Sequence, residues 1–143
     1  MKSTLLHVRR LAVAAALLGV VVLPRAVSAQ SELDASEAGA FLGTWVVSLE
    51  SDFGPIEFSL ELTDQDGKVA ANVGSPDPAG GITAVTDITK AGDALALRYE
   101  FDAQGQLVPV SLTLTPSGEG LTAVFEIGGG AFSAGGSATR AGN

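Results

Sequence analysis

The stretch Gly43-Thr44-Trp45-Val46-Val47-Ser48-Leu49-Glu50 places Trp45, Val47 and Leu49 on one parity and Thr44, Val46, Ser48 and Glu50 on the other. A period of two belongs to a half-buried β-strand, whose successive side chains point to opposite faces. The same period returns downstream. Ile56, Phe58, Leu60 and Leu62 alternate with Glu57, Ser59, Glu61 and Thr63, and Asp64-Gln65-Asp66-Gly67 then reads as a hairpin loop. Val69, Ala71 and Val73 form a third apolar parity. A fourth segment, Ile82 to Thr89, alternates less cleanly and is expected to turn Ile82, Ala84, Thr86 and Ile88 inward. Leu95, Leu97, Tyr99 and Phe101 follow, then Val108 to Leu114, Leu121 to Ile127, and Phe132 to Arg140. Pro109 falls on an outward position within a strand and predicts a bulge or local opening there.

These segments predict an all-β fold: an eight-stranded antiparallel up-and-down β-barrel with a short N-terminal helical turn. Short connections make sequence neighbours antiparallel neighbours in space. Closure removes both sheet edges, and the Gly-rich last strand tolerates the bending that closure needs. In a closed meander the end of the last strand lies beside the start of the first. Arg140 and Trp45 then meet on the inward parity at one mouth. A guanidinium stacked on an indole contributes about 1–2 kcal/mol where partly desolvated. The long Gly74 to Gly81 loop leaves an odd-numbered strand, so it belongs to the opposite mouth and is the expected portal.

A Gly-x-Trp at the start of the first strand, answered by a basic residue near the end of the last, resembles the lipocalin and avidin (calycin) barrels. Here the matching residues are Gly43, Trp45 and Arg140, which we assign to barrel closure. The chain is closest in style to small secreted bacterial lipocalin-like modules. The resemblance implies a barrel over residues 41–140 and a ligand in its lumen. A second lipocalin motif of the Thr-Asp-Tyr kind is absent between the sixth and seventh segments.

Residues 1–29 read as a cleaved signal peptide. Lys2, Arg9 and Arg10 precede an apolar run from Leu11 to Leu23, and Val27-Ser28-Ala29 supplies a cleavage pattern. The expected destination is the periplasm or the extracellular space, with no stable membrane anchor after cleavage, and the Ala/Gly-rich composition fits a bacterial source. Residues 30–40 form a lead-in, either a short helix or disordered. Removing the leader leaves four basic residues against sixteen acidic ones, a net charge of −12 instead of −8. Such a field opposes nucleic-acid binding. The chain has no cysteine, so the core must stabilise the exported domain without disulfides.

Chemistry is restricted by what is missing. The single histidine, His7, lies in the leader, so His- and Cys-based nucleophilic catalysis and zinc sites of the usual ligands are excluded from residues 30–143. Glu57 and Glu61 share the outer face of one strand with Glu50 and Asp52 nearby, as a solvated surface does. Asp64-x-Asp66-Gly67 lacks the further ligands of a calcium loop. No catalytic residue, metal or cofactor is assigned.

Side-chain size suggests a flattened slot, because Ala71, Ala84, Ala123 and Ala134 fall on strands facing one another. Lumen-lining candidates are Tyr99, Thr86, Phe58, Ala71, Ala84, Ala123, Ala134 and Phe132. The Tyr99 hydroxyl, if inside, needs a partner: Thr86, the backbone, or the polar end of a ligand. The leading expectation is a non-enzymatic barrel binding a small apolar molecule. The alternatives are a packed barrel serving as a structural or interaction module for another exported protein, and an enzyme using Tyr99 with carboxylates.

Overall fold

The computed structural model describes residues 30–75 and 79–142. The expected leader, residues 1–29, lies outside the described residues. The described residues are all-β, with nine antiparallel strands: β1 (Gly43–Ser51), β2 (Gly54–Gln65), β3 (Lys68–Gly74), β4 (Ile82–Val85), β5 (Asp87–Ala91), β6 (Ala94–Ala103), β7 (Gln106–Ser117), β8 (Gly120–Ile127) and β9 (Phe132–Arg140). Their order in one sheet is β4-β3-β2-β1-β9-β8-β7-β6-β5. The two end strands are consecutive in sequence, so the sheet curls into a nearly closed barrel.

Closure between the first and last strands runs through the register Trp45↔Arg140, Val47↔Ala138 and Leu49↔Gly136. The last pair requires glycine. A Cβ built on Gly136 would lie 1.9 Å from the Ser48 carbonyl oxygen and 2.8 Å from Leu49 Cα. At position 136 the backbones of β1 and β9 therefore approach more closely than a side chain there would permit.

The strand count is nine and not eight because the fourth expected strand breaks at Thr86. β4 pairs only with β3, through Ala71↔Val85 and Val73↔Thr83. β5 pairs only with β6, through Ile88↔Leu97. Val85 and Ile88, three residues apart, are both buried, which no unbroken strand allows. The break inverts the parity expected for the first half. Ala84 and Thr86 face solvent and Ile82 is 75 % exposed, while Val85 and the half-buried Thr83 turn in. Alternation was ambiguous here because Ile82-Thr83-Ala84-Val85 has an apolar residue on each parity.

Pro109 also departs from expectation, since β6 and β7 pair without an inserted residue through Glu100↔Pro109. The reason is directional. In an antiparallel strand, one residue's N–H and C=O point to the same neighbour. The Pro109 carbonyl accepts from Gly128 N at 2.9 Å, so its missing N–H faces β8, just beyond the last β7–β8 pair, Val110↔Ile127. No donor is lost from the β6 ladder.

The lead-in is tied to the barrel. Ser31 N donates to the Val69 carbonyl at 2.8 Å, Val69 N to Leu33 at 2.9 Å, and the buried Ser31 hydroxyl to the Val69 carbonyl at 2.7 Å. Residues 31–35 thus occupy the edge of β3 below the place where β4 ends. A 3-10 turn, Ala35–Ala38, then packs Ala35, Ala38 and Phe41 into the core. Lys68 Nζ meets Asp34 Oδ1 at 2.6 Å, and this hydrogen bond holds the Lys68 pKa above its ordinary value.

Gly136→Val is expected to lower stability by at least about 1–3 kcal/mol, the usual cost of overpacking. Gly135→Ala, whose new Cβ would meet nothing closer than 4.0 Å, should leave the urea midpoint unchanged. Equal midpoints for the two variants would show that β1–β9 contact does not require glycine.

Candidate functional site

The two barrel mouths differ. At the first, Trp45 is buried and its indole Nε1 donates to the Phe41 carbonyl at 2.8 Å. The Arg140 guanidinium carbon lies 4.4 Å from the centre of the Trp45 ring. Arg140 Nη1 donates to the Leu42 carbonyl at 3.0 Å. Gly43 makes room for this arm, since a Cβ there would sit 2.6 Å from Arg140 Nη1, and its φ of +130 disfavours any other residue. Together with the 3-10 turn, these groups plug the mouth.

Above the plug the barrel is solid. Trp45, Val47, Leu49, Leu60, Leu62, Val69, Leu95, Leu97, Leu112 and Leu114 are all at most 1 % exposed. Ala71, Ala123 and Ala134 are buried in this packed zone and are not among the residues lining the cavity at the second mouth. Opposing small residues let the walls come together, and the neighbouring leucines occupy what remains. Phe132 is half-buried and packs beside the exposed Phe53, with ring centroids 6.2 Å apart. Thr86 and Ala84, on the outside, are likewise removed from the lumen set.

The second mouth is hollow. A cavity of about 600 Å³ is walled by Ile56, Phe58, Val73, Tyr99, Phe101 and Phe125, with Gly74 and Thr83 toward the long loop. The Phe58 and Phe125 rings sit 6.0 Å apart. The cavity follows from the seam. Beyond Arg98, β6 has no strand on the side where β5 pairs, and β4 bonds only to β3. The two edges diverge, and Tyr99 to Asp102 on one side face Gly74, Ser75 and Thr83 on the other. The glycine-rich loop expected as the portal starts and ends at this mouth, with residues 76–78 outside the described set.

Tyr99 and Thr83 bring polar side chains to the cavity lining. Tyr99 is the larger of the two. Its hydroxyl makes no hydrogen bond to Thr86 or to any described backbone group. No fully buried side-chain polar atom lacks a partner among the described residues, so this hydroxyl keeps access to solvent, and Tyr99 lines both this cavity and a hollow on the outer face of the sheet. Burial of the ring pushes the phenol up from 10.0 to about 12. The group is therefore a neutral donor and acceptor at ordinary pH.

Glu100 and Asp102 reach the rim of the cavity and are exposed, and the Asp102 carboxylate accepts from Gly105 N in the adjoining turn. Neither is the buried carboxylate that acid–base catalysis beside Tyr99 requires. Glu50, Asp52, Glu57 and Glu61 are also exposed. Asp64 is a turn residue, its Oδ1 accepting from Gly67 N at 2.8 Å. A second hollow of about 460 Å³ lies along the outer face of β6 and β7, among Asp87, Arg98, Glu100, Ser111 and Glu126. No protein-family model matches the chain, and neither a curated protein nor a solved structure shows significant similarity to it.

Sequence reasoning placed Phe58 and Tyr99 inward but did not single out Ile56, Val73, Thr83, Phe101 and Phe125 as a set. Each except Thr83 was on an inward parity. Their shared height in the barrel, which depends on register, is what joins them.

Tyr99 is the only tyrosine, so absorbance titration reads it alone. The expected midpoint is about 12 in the native protein and near 10.0 in urea. The proton is held more tightly in the folded state, so its contribution to stability is complete below pH 10 and is lost as pH rises toward 12. A native midpoint near 10 would place the phenol in bulk water. Separately, Arg140→Leu is expected to cost about 1–2 kcal/mol through loss of the indole stack, read from urea unfolding followed by the fluorescence of Trp45.

Proposed function

We propose that this protein is an exported, non-enzymatic barrel that holds a small apolar molecule at its open mouth. The observation that carries this reading is the cavity of about 600 Å³ lined by four aromatic rings at one end of a barrel plugged at the other. That volume falls within the range of small-molecule sites, roughly 300–1,000 Å³. The Gly43–Trp45–Arg140 arrangement supports kinship with the lipocalin and avidin type of calycin barrel, whose members carry ligands in the lumen. The leader-like residues 1–29 support export to the periplasm or beyond, and the composition supports a bacterial source. The acidic balance argues against nucleic acid as a partner.

A second reading has its own observation. Phe53, Ile82 and Leu107 are 90 %, 75 % and 63 % exposed, and all three stand around the open mouth. An apolar rim of this kind favours docking to another exported protein.

Nile red, a neutral fluorescent probe, is expected to bind with one-to-one stoichiometry. Thr83→Trp, which fills the cavity from a half-buried wall position, should weaken it by about tenfold, equivalent to 1.4 kcal/mol. Ile82→Ser should leave it unchanged. Binding indifferent to Thr83→Trp but removed by Ile82→Ser would transfer the function to the rim.

A further inference from the structure

The basic groups of the barrel are distributed unevenly along its axis, whereas carboxylates stand at both ends, with Asp64, Asp66, Asp93 and Glu119 in or beside the turns at the plugged one. Lys68 begins β3, Lys90 stands near the end of β5, and Arg140 ends β9, so all three belong to the plugged end. Arg98, the remaining cation among the described residues, is on the outer face of β6 and lines the outer hollow, not the cavity. The open end carries Glu100 and Asp102 at the cavity rim, with Glu50, Glu57 and Glu126 on the outward faces of the strands around it and Asp52 in the turn between β1 and β2. Among the described residues, no lysine or arginine lines the cavity.

Inside that acidic rim the walls are aromatic. Phe58, Tyr99, Phe101 and Phe125 contribute to the lining, and the Tyr99 hydroxyl keeps access to solvent without a hydrogen-bond partner among the described residues. Ring faces attract cations within about 6 Å of their centroids. A carboxylate brought to the same place would meet Glu100 and Asp102 at the rim, while Arg98, two residues from Glu100, stands on the outer face along the outer hollow. A phenol oxygen accepts a hydrogen bond from an ammonium group, and an apolar tail can lie among Ile56, Val73 and the rings.

We infer that the cavity selects apolar molecules whose polar end is a cationic nitrogen, either an amine or a quaternary ammonium, and discriminates against fatty-acid carboxylates. The selectivity resides in the carboxylates of the rim and the aromatic walls together. It rests on the cavity being a ligand site at all, and it adds the chemical class of the ligand.

The test displaces Nile red from the full domain with decylamine, decanol and decanoate, which share a chain length and differ in head group. Decylamine is expected to bind about tenfold more tightly than decanoate, with decanol between them. Glu100→Gln, on an exposed side chain that folding does not need, should reduce that preference severalfold. Glu119→Gln, in the turn between β7 and β8 at the plugged end, should leave it intact, which separates the rim from a general attraction of the acidic protein for cations. Decanol or decanoate binding as tightly as decylamine overturns the inference, as does a preference untouched by Glu100→Gln. If Nile red binds but no decyl compound displaces it, the inference falls while the cavity reading stands. If Nile red does not bind, both fall.

Discussion

The pairing of the first strand with the last carries the rest of the structure. Where Arg140 lies over Trp45, three demands meet: Gly43 leaves space for the guanidinium, the indole offers its face, and the Leu42 carbonyl accepts a hydrogen bond. Farther along the same ladder, Gly136 lets the two backbones come together at Leu49. This junction converts a meander into a barrel. It also fixes one end as a plug, because the chain entering β1 brings Phe41 and the 3-10 turn to the same place.

The opposite side of the barrel closes by a different device. One strand is divided at Thr86, and each half bonds to a different neighbour. Residues 31–35 complete the β3 edge near the plug, through the hydrogen bonds of Ser31 and Leu33 with Val69. Among the described residues, no strand pairs with the edge of β6 beyond Arg98 on the side of β5. A sheet sealed low and parted high leaves its unfilled volume high, where Tyr99, Phe101 and Phe125 stand. Backbone pairing, more than side-chain size, determines where this barrel is hollow.

Much of this was legible along the chain. Trp45, Val47 and Leu49, or Leu95 and Leu97, could face only inward, because burying the other parity would bury Glu50 or Arg98. The Trp45–Arg140 meeting followed from counting parity around a closed meander. Thr86 and Ala84 were misassigned because their segment has apolar residues on both parities, so period alone does not orient it. Ala71, Ala123 and Ala134 were read as walls of a slot since small side chains imply space. Space between small residues is removed when the walls move together, and that movement is collective.

The chain by itself therefore determined an all-β barrel, the inward faces of its cleanly alternating strands, its closing residues and the lack of cysteine, because these depend on a period of two and on residue identity. Only the tertiary structure decided the break at Thr86, the solid and hollow halves, and the gathering of Phe58, Tyr99, Phe101 and Phe125 around one cavity. Those features depend on which residues stand at the same height on strands far apart in sequence. Height is set by register and by the divergence of two sheet edges, and neither leaves a local mark in the order of residues.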